Sequence, residues 1–120
     1  MTDDQMDLTS GIPLIDWVEA VPTELDEDAI GLWQIVGMIK NEYNLSGEEL
    51  TYYVRKCILL VLAEGAIPVV GDESGKRTWN PKEGCGSTPE EMADFIIDEW
   101  ISSGRDPYWG DVWFSLPDGL

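Results

Sequence analysis

One segment, SGEELTYYVRKCILLVLAEG at residues 46–65, constrains the fold of the chain more than any other. Its apolar residues recur at three- and four-residue intervals and cover much of a helical circumference, which predicts a central and largely buried helix. Ser46 and Glu49 have the spacing of a capping box at its start, and Gly65 supplies the left-handed residue that ends it. The apolar stripe contains Leu50, Tyr53, Val54, Cys57, Ile58, Leu59, Leu60 and Val61.

A second strong helix is predicted in STPEEMADFIIDEWISSG, residues 87–104. Thr88 has the capping position, Pro89 the first helical position, and Glu91 completes the capping pair. Gly104 is expected to end the helix in the left-handed conformation. The predicted buried stripe contains Met92, Ala93, Phe95, Ile96, Ile97, Trp100 and Ile101.

Two further helices are predicted before these. IPLIDWVEAV has apolar residues that suit a short helix, and Pro22 is expected to end it. The following segment, TELDEDAIGLWQIVGMIKNEYN, has a helical period from Ala29 onward and a plausible stop at Asn44. The acidic residues 26–28 crowd its start, where the helix dipole favours negative charge.

The segment AIPVVGDESGKRTWNP predicts a short β-hairpin. Residues 66–70 and 76–80 read as its strands, and GDESG reads as the turn between them. Pro68 suggests that the first strand lies at an edge of the sheet, because proline cannot donate a hydrogen bond to a neighbouring strand.

Together these elements predict a single domain over residues 1–120 that is mainly α within the α+β class. Three to four packed helices are expected, with the small hairpin between the last two long helices. Residues 1–12 are expected to be a flexible leader, and residues 105–120 an aromatic tail packed on the body. The alternation of Val112 and Phe114 suits a short strand beside the hairpin.

The charge of the chain restricts its partners. It contains 24 acidic and 7 basic residues, for a net charge of −17. Direct binding to nucleic acid is disfavoured, because that affinity depends largely on Lys and Arg at phosphates, and anionic membranes also repel the chain. The balance favours a basic protein partner, whose encounter it accelerates, although acidity can also serve solubility alone.

The sequence shows no targeting signal, which leads us to expect a cytoplasmic protein. Its N-terminus lacks the positive region of a signal peptide, and its longest apolar run, CILLVLA, is too short to cross a membrane. Cys57 and Cys85 are too few for a disulfide scaffold, so we expect a core residue and a loop thiol that stay reduced.

The residues that most catalytic sites need are missing. The chain has no histidine, which removes the commonest general base and metal ligand. The two cysteines lack the partners of a zinc site, and the acidic segments beginning at Asp26 and Asp72 fail the EF-hand pattern. We therefore expect a protein that is not an enzyme and that has no metal or cofactor.

The helix at residues 87–104 carries a candidate binding strip formed by Glu91, Asp94 and Asp98. Capping accounts for Glu91. Asp94 and Asp98 stand one turn apart as like charges, at a cost of about 0.2–0.5 kcal/mol, so local stability does not require them. The strip is either a solvated face or a docking site for a basic partner.

The aromatic tail and the hairpin turn supply further candidate partner-binding residues. Tyr108 and Trp109 are expected at an exposed rim with Asp111, because Tyr and Trp are favoured at the centres of protein interfaces. Trp113 and Phe114 are instead expected to pack on the body, because exposed aromatic runs invite aggregation. Asp72 and Glu73, at the hairpin turn, would extend the binding surface.

Three segments, LWQIVGMIKNEYNLSGEEL, LLVLAEGAIPVVG and STPEEMADFIIDEWISSGRDPYWGDVWF, appear in this order along the chain. Over residues 30–114, this order resembles small acidic immunity proteins of bacterial toxin systems, of the contact-dependent or type VI kind. The resemblance implies a protein that binds a cognate toxin, often a basic nuclease, and blocks its active site or substrate surface. It implies no particular site residues, because immunity interfaces differ between pairs.

Two alternative functions remain open at this point. The protein could be an acidic mimic of nucleic acid that binds many DNA-binding proteins. It could also be a winged-helix regulator with Lys76 and Arg77 at the wing tip. DNA binding is disfavoured, because the best recognition-helix candidate offers only Arg55 and Lys56 among several glutamates.

Overall fold

The computed structural model of the protein describes residues 11–75 and 78–119. Most of the predicted flexible leader therefore lies outside the described residues, as do Lys76 and Arg77, the wing-tip residues of the regulator hypothesis. The predicted second strand, residues 76–80, is described only in part.

Helices dominate the described part of the chain, which confirms the mainly α, α+β prediction. The central helix α3 packs against α4 and also contacts α1 and α2. A 3-10 helix at Val21–Asp26 follows α1 directly, and a π-helical turn at Met38–Glu42 continues α2. The α-helices within the described ranges are α1 (Leu14–Ala20), α2 (Leu32–Gly37), α3 (Gly47–Ala63) and α4 (Pro89–Ser103).

A small antiparallel sheet completes the fold. Its strands lie in the order β1-β4-β2-β3. The hairpin of β2 and β3 falls between α3 and α4 as predicted, and the tail strand β4 pairs with β2, also as predicted. The strands are β1 (Ile30–Gly31), β2 (Ile67–Gly71), β3 (Trp79–Pro81) and β4 (Trp113–Ser115).

The prediction that Pro68 marks an edge strand is wrong, because β2 lies between β4 and β3. Pro68 lies opposite Phe114 of β4. Its carbonyl accepts a hydrogen bond from the amide of Lys82 at 2.9 Å, on the side of β3. The N–H and C=O groups of a residue in an antiparallel strand point to the same side, so the donor that Pro68 lacks would also have faced Lys82, just beyond the end of β3 at Pro81. The edge strand on that side is β3.

The predicted helix beginning in the acidic run starts too early. Residues 26–28 lie at the end of the 3-10 helix and in the turn after it, and β1 intervenes before α2 begins at Leu32. Ile30 pairs with Phe114 and Gly31 with Trp113, so a distant strand overrides the local helical period. Asn44 does end the helical segment, with a φ of 55°.

The two capping predictions have different outcomes. At α4, the Glu91 amide donates to Thr88 Oγ1 at 3.2 Å, and the Thr88 amide donates to Glu91 Oε1 at 3.2 Å, which confirms the capping box. Ser46 is the N-cap of α3, but its side chain makes no capping hydrogen bond. Gly47, the first residue of α3, has a φ of 62°. The backbone therefore departs from helical geometry between Ser46 and Glu49, the two residues of the predicted capping box.

The core lies between α3 and the elements that surround it. Tyr53, Val54, Cys57, Ile58 and Val61 of α3 are buried as predicted. On α4 the burial is narrower than predicted, because Ala93, Ile96 and Ile97 are buried whereas Phe95 and Ile101 are exposed. Cys57 and Cys85 are both free and both buried.

Gly31 leaves room for two indole rings. A Cβ atom added at Gly31 would lie 2.7 Å from the ring of Trp33 and 3.1 Å from that of Trp113. We expect Gly31→Ala to lower the free energy of unfolding by about 1–2 kcal/mol through overpacking, measured by urea denaturation.

The matched control is Gly37→Ala in α2. Its Cβ would meet nothing closer than Asn41 Nδ2 at 4.0 Å, so this variant should be more stable than the parent by about 0.5–1 kcal/mol. A Gly31→Ala variant as stable as the parent would show that the indoles move aside at little cost.

Candidate binding surface

Indole rings cover the face of the sheet that points away from the core. Gly31, Trp113 and Val69 lie opposite one another across three strands, and Trp79 lies opposite Gly71, so these residues share one face. Trp113 contacts Trp79 with a centroid distance of 5.1 Å. We call Trp33, Trp79 and Trp113 the indole face.

Burial differs between the two faces of the sheet as this register requires. Ile30 and Phe114 point from the opposite face into the main core. Val69 is also fully buried, but it does not belong to that core cluster. Trp33 meets Trp113 edge-to-face with a centroid distance of 6.3 Å. The sheet therefore carries a second apolar layer, one that solvent and a partner can reach because these indoles are only partly buried.

An ion pair clamps the loop at residues 105–111, which we call the tail loop. The Arg105 guanidinium donates to both carboxylate oxygens of Asp111, at 3.0 and 3.1 Å. Asp111 also accepts a hydrogen bond from the Tyr108 amide at 2.9 Å, and its own amide donates to the Tyr108 carbonyl at 2.9 Å. A Cβ atom at Gly110 would lie 2.6 Å from the Tyr108 ring, so a larger residue there would push this ring aside.

The clamp sets the ionisation of its two members. The hydrogen bonds from Arg105 hold the pKa of the Asp111 carboxyl below its ordinary value, although partial burial acts in the opposite direction. The same hydrogen bonds raise the pKa of Arg105. Asp111, which we predicted to bind a partner, therefore already has an internal cation and stabilises the tail loop.

Tyr108 and Trp109 are exposed, as the sequence predicted. Trp109 is 74% exposed and Tyr108 is 49% exposed. The backbone beneath them is fixed, because Trp113 Nε1 donates to the Trp109 carbonyl at 2.8 Å. The Trp109 side chain projects from this loop, and its ring meets the Tyr108 ring edge-to-face with a centroid distance of 6.0 Å.

The tail loop and the β2–β3 hairpin enclose a groove of about 840 Å³, which we call the tail–hairpin groove. It brings together four of the predicted site residues, two acidic and two aromatic, together with two members of the indole face. No Lys or Arg lines this groove among residues 11–75 and 78–119. Its principal lining residues are Asp72, Glu73, Trp79, Tyr108, Trp109 and Trp113.

The two acidic residues at the hairpin turn differ in role. Asp72 Oδ1 accepts hydrogen bonds from the amide and hydroxyl of Ser74, at 3.0 and 2.8 Å, and from Asn80 Nδ2 at 3.2 Å. Asp72 therefore organises the turn. Glu73 is exposed at the tip of the hairpin. It is the better candidate to meet a partner.

A second groove adjoins the first, because Trp79 and Thr78 line both. We call it the acidic groove, and its volume is about 450 Å³. The sequence analysis missed it, because the acidic run at residues 26–28 was explained by a helix dipole and residue 118 had no visible neighbour. Its exposed carboxylates belong to Asp26, Glu27, Asp28 and Asp118.

The predicted strip on α4 is partly neutralised inside the protein. Arg55 Nε lies 2.9 Å from Asp94 Oδ1, and Glu91 is occupied by the capping box. Hydrogen bonds from Ser87 and then from Thr88 lower the pKa of Glu91. Asp98 has no ion pair or hydrogen bond to any residue in the described ranges, so it is the one residue of the strip whose carboxylate is not already engaged there.

The cations of α3 are also engaged. Arg55 binds Asp94, and Lys56 lies over the ring of Tyr52 at 5.9 Å from its centroid. The pairing of Arg55 weakens the winged-helix alternative, which needs cations that are free to reach phosphates.

Comparison with known proteins adds no assignment to this surface. No protein-family model matches the chain, and neither a curated protein nor a solved structure is detectably similar to it. Within the described ranges, no helix combines the length and apolar character that crossing a bilayer requires. No group of three or more Cys, Asp or Glu side chains in those ranges is arranged to hold a metal ion.

We expect Asp111→Asn to lower stability near neutral pH and to lose that effect in acid. Because folding lowers the pKa of Asp111, its ionised form contributes stability above the unfolded value of about 3.9. That contribution disappears as the pH falls through the lower folded value. Urea denaturation of the variant and the parent at several pH values measures the difference.

Asp98→Asn is the control, since it removes the same charge from a carboxylate without a partner in the described ranges. It should leave stability unchanged or raise it slightly by relieving repulsion from Asp94. Equal losses in the two variants would contradict the role of the Arg105–Asp111 clamp.

Proposed function

We propose that the protein is an immunity protein that binds a basic domain of a cognate bacterial toxin and blocks it, without catalysis of its own. The observation that carries this proposal is the joining of the tail–hairpin groove and the acidic groove at Trp79. Exposed aromatic rings and exposed carboxylates then share one continuous surface. This combination suits a partner that is both positively charged and large enough to cover both grooves.

The aromatic part of this surface has the properties of an interface centre. Trp and Tyr dominate the binding energy of protein interfaces, because they bury a large area with few rotatable bonds. The clamp of Arg105 and Asp111 fixes the tail loop before a partner arrives. Little conformational entropy is therefore lost when Trp109 is buried by that partner.

The acidic part of the surface supports fast and selective encounter with a basic partner. Asp26, Glu27 and Asp118 make no ion pair in the described ranges, and Asp28 caps only its neighbouring amide. A concentration of one sign of charge steers an oppositely charged protein and repels acidic ones. A toxin nuclease that binds the nucleic acid backbone presents such a basic surface.

The resemblance of the sequence to acidic immunity proteins supplies the class of partner. Such a function places the protein in the bacterial cytoplasm, where the toxin would act. The proposed interface comprises Glu73, Tyr108 and Trp109, joined by the carboxylates of the acidic groove.

We expect the upstream neighbouring gene to encode a large secreted toxin whose C-terminal domain co-purifies with this protein. Co-expression in a bacterial host followed by affinity purification tests this expectation. Binding should be at least about 100-fold tighter than to unrelated basic proteins of similar charge, since cognate contacts add to electrostatic attraction. Equal binding to several basic proteins would contradict an immunity function and would indicate a general nucleic acid mimic instead.

Charge reversal in the groove should slow association with the toxin domain more than charge reversal elsewhere. We expect Glu73→Lys to lower the association rate about three- to tenfold at low ionic strength, and to reduce its salt dependence. Stopped-flow measurement over a range of salt concentrations gives both quantities.

Asp98→Lys is the matched control, because it changes the net charge by the same amount on the exposed face of α4. It should alter the rate by less than about twofold. If Asp98→Lys has the larger effect, the interface lies on α4 and the groove assignment is wrong.

A further inference from the structure

We propose that the tail–hairpin groove recognises an arginine side chain of the basic partner. The guanidinium would stack on the indole of Trp109 and form an ion pair with Glu73. This inference rests on the proposed function for the identity of the partner, but its chemistry follows from the groove itself.

The groove combines the two groups that a guanidinium binds best. A planar cation is attracted to the face of an aromatic ring, most strongly to that of Trp. The same cation donates a fork of hydrogen bonds to a carboxylate. Trp109 supplies an indole that is mostly exposed, and Glu73 supplies an exposed carboxylate in the same groove.

The tail loop already contains one contact of this kind. The Arg105 guanidinium carbon lies 4.6 Å from the centroid of the Tyr108 ring while its nitrogen atoms bind Asp111. One aromatic ring and one carboxylate thus hold one guanidinium. Trp109 and Glu73 line one groove and supply the same two kinds of group, which the proposal assigns to a cation from outside.

The surroundings of the groove favour arginine over an uncharged aromatic or aliphatic anchor. The acidic groove continues from Trp79 and presents Asp26, Glu27 and Asp118. If an arginine of the partner binds in the tail–hairpin groove, further cations on the same segment of the partner would therefore meet favourable carboxylates in the acidic groove. An acidic or neutral segment would meet repulsion or unpaired carboxylates there.

Lysine should bind less well than arginine in this site. Its ammonium group has the same charge but is more strongly hydrated, and it cannot stack as a plane on the indole. Total charge alone therefore does not determine affinity, and the preference for arginine is the measurable signature of the proposed contact.

The test uses the full-length protein and three labelled peptides in fluorescence anisotropy titrations at low ionic strength. One peptide alternates glycine with arginine, the second replaces arginine with lysine, and the third replaces it with citrulline, which has the shape of arginine without its charge. We expect the arginine peptide to bind about two- to fivefold tighter than the lysine peptide, and the citrulline peptide at least about tenfold weaker than either. Equal affinity for the arginine and lysine peptides would overturn the proposal.

Two substitutions of Trp109 locate the contact. Trp109→Leu keeps an apolar side chain but removes the ring, so it should abolish the difference between the arginine and lysine peptides. Trp109→Phe keeps a ring and should retain part of that difference. Trp109 is exposed, so both variants should keep the thermal stability of the parent. A difference that persists unchanged in Trp109→Leu would also overturn the proposal.

Tyr52→Leu is the control, because Tyr52 is an exposed ring on α3 that does not line the groove. It should leave both affinities unchanged, and an equal loss in this variant would overturn the proposal.

The outcomes separate this inference from the proposed function. If the toxin domain binds but the arginine preference is absent, the arginine site is wrong and the immunity function stands. If the peptides show the preference and no toxin domain co-purifies, the arginine site stands and the immunity function falls.

Discussion

The pairing of β4 with both β1 and β2 is the interaction on which the rest of the structure depends. It joins three segments that are far apart in the sequence and gives the sheet its two faces. Phe114 enters the core from one face, while Trp113 points to the other and becomes the centre of the indole face. The Leu32 amide extends the contact by donating to the Val112 carbonyl at 3.0 Å. Both grooves of the candidate surface exist only because this strand brings their walls together.

Local signals were sufficient for the parts of the fold that are local in origin. The apolar stripe of α3, the capping box of α4 and the hairpin all follow from neighbouring residues, and the structure confirms them. The acidic groove could not be predicted, because it unites residues 26–28 with Asp118 through strand pairing. The two-residue strand β1 could not be predicted for the same reason, since the helical period from Ala29 onward runs across Ile30 and the pairing with Phe114 lies far along the sequence.

The candidate site was predicted in part. The sequence pointed to Glu73, Tyr108 and Trp109, which the fold brings into one groove. It also pointed to Asp94 and Asp111, whose partners are Arg55 on α3 and Arg105 at the start of the tail loop. A charge pattern read along the sequence does not show these pairings. The net charge nevertheless remains a constraint, because seven cations cannot neutralise 24 anions in any fold. The structure shows that part of the excess of carboxylates lines the acidic groove.

The hydrogen bonds that hold the tail loop do not involve the indole of Trp109, and this has a consequence for how the exposed surface of the loop can vary. The Arg105–Asp111 clamp, the turn at Gly110 and the hydrogen bond to the Trp109 carbonyl all involve groups other than the indole. Exchange of that single residue would change the surface that the loop presents while leaving these hydrogen bonds in place. The chemistry of this patch of surface can therefore vary through one substitution while the hydrogen bonds beneath it stay in place.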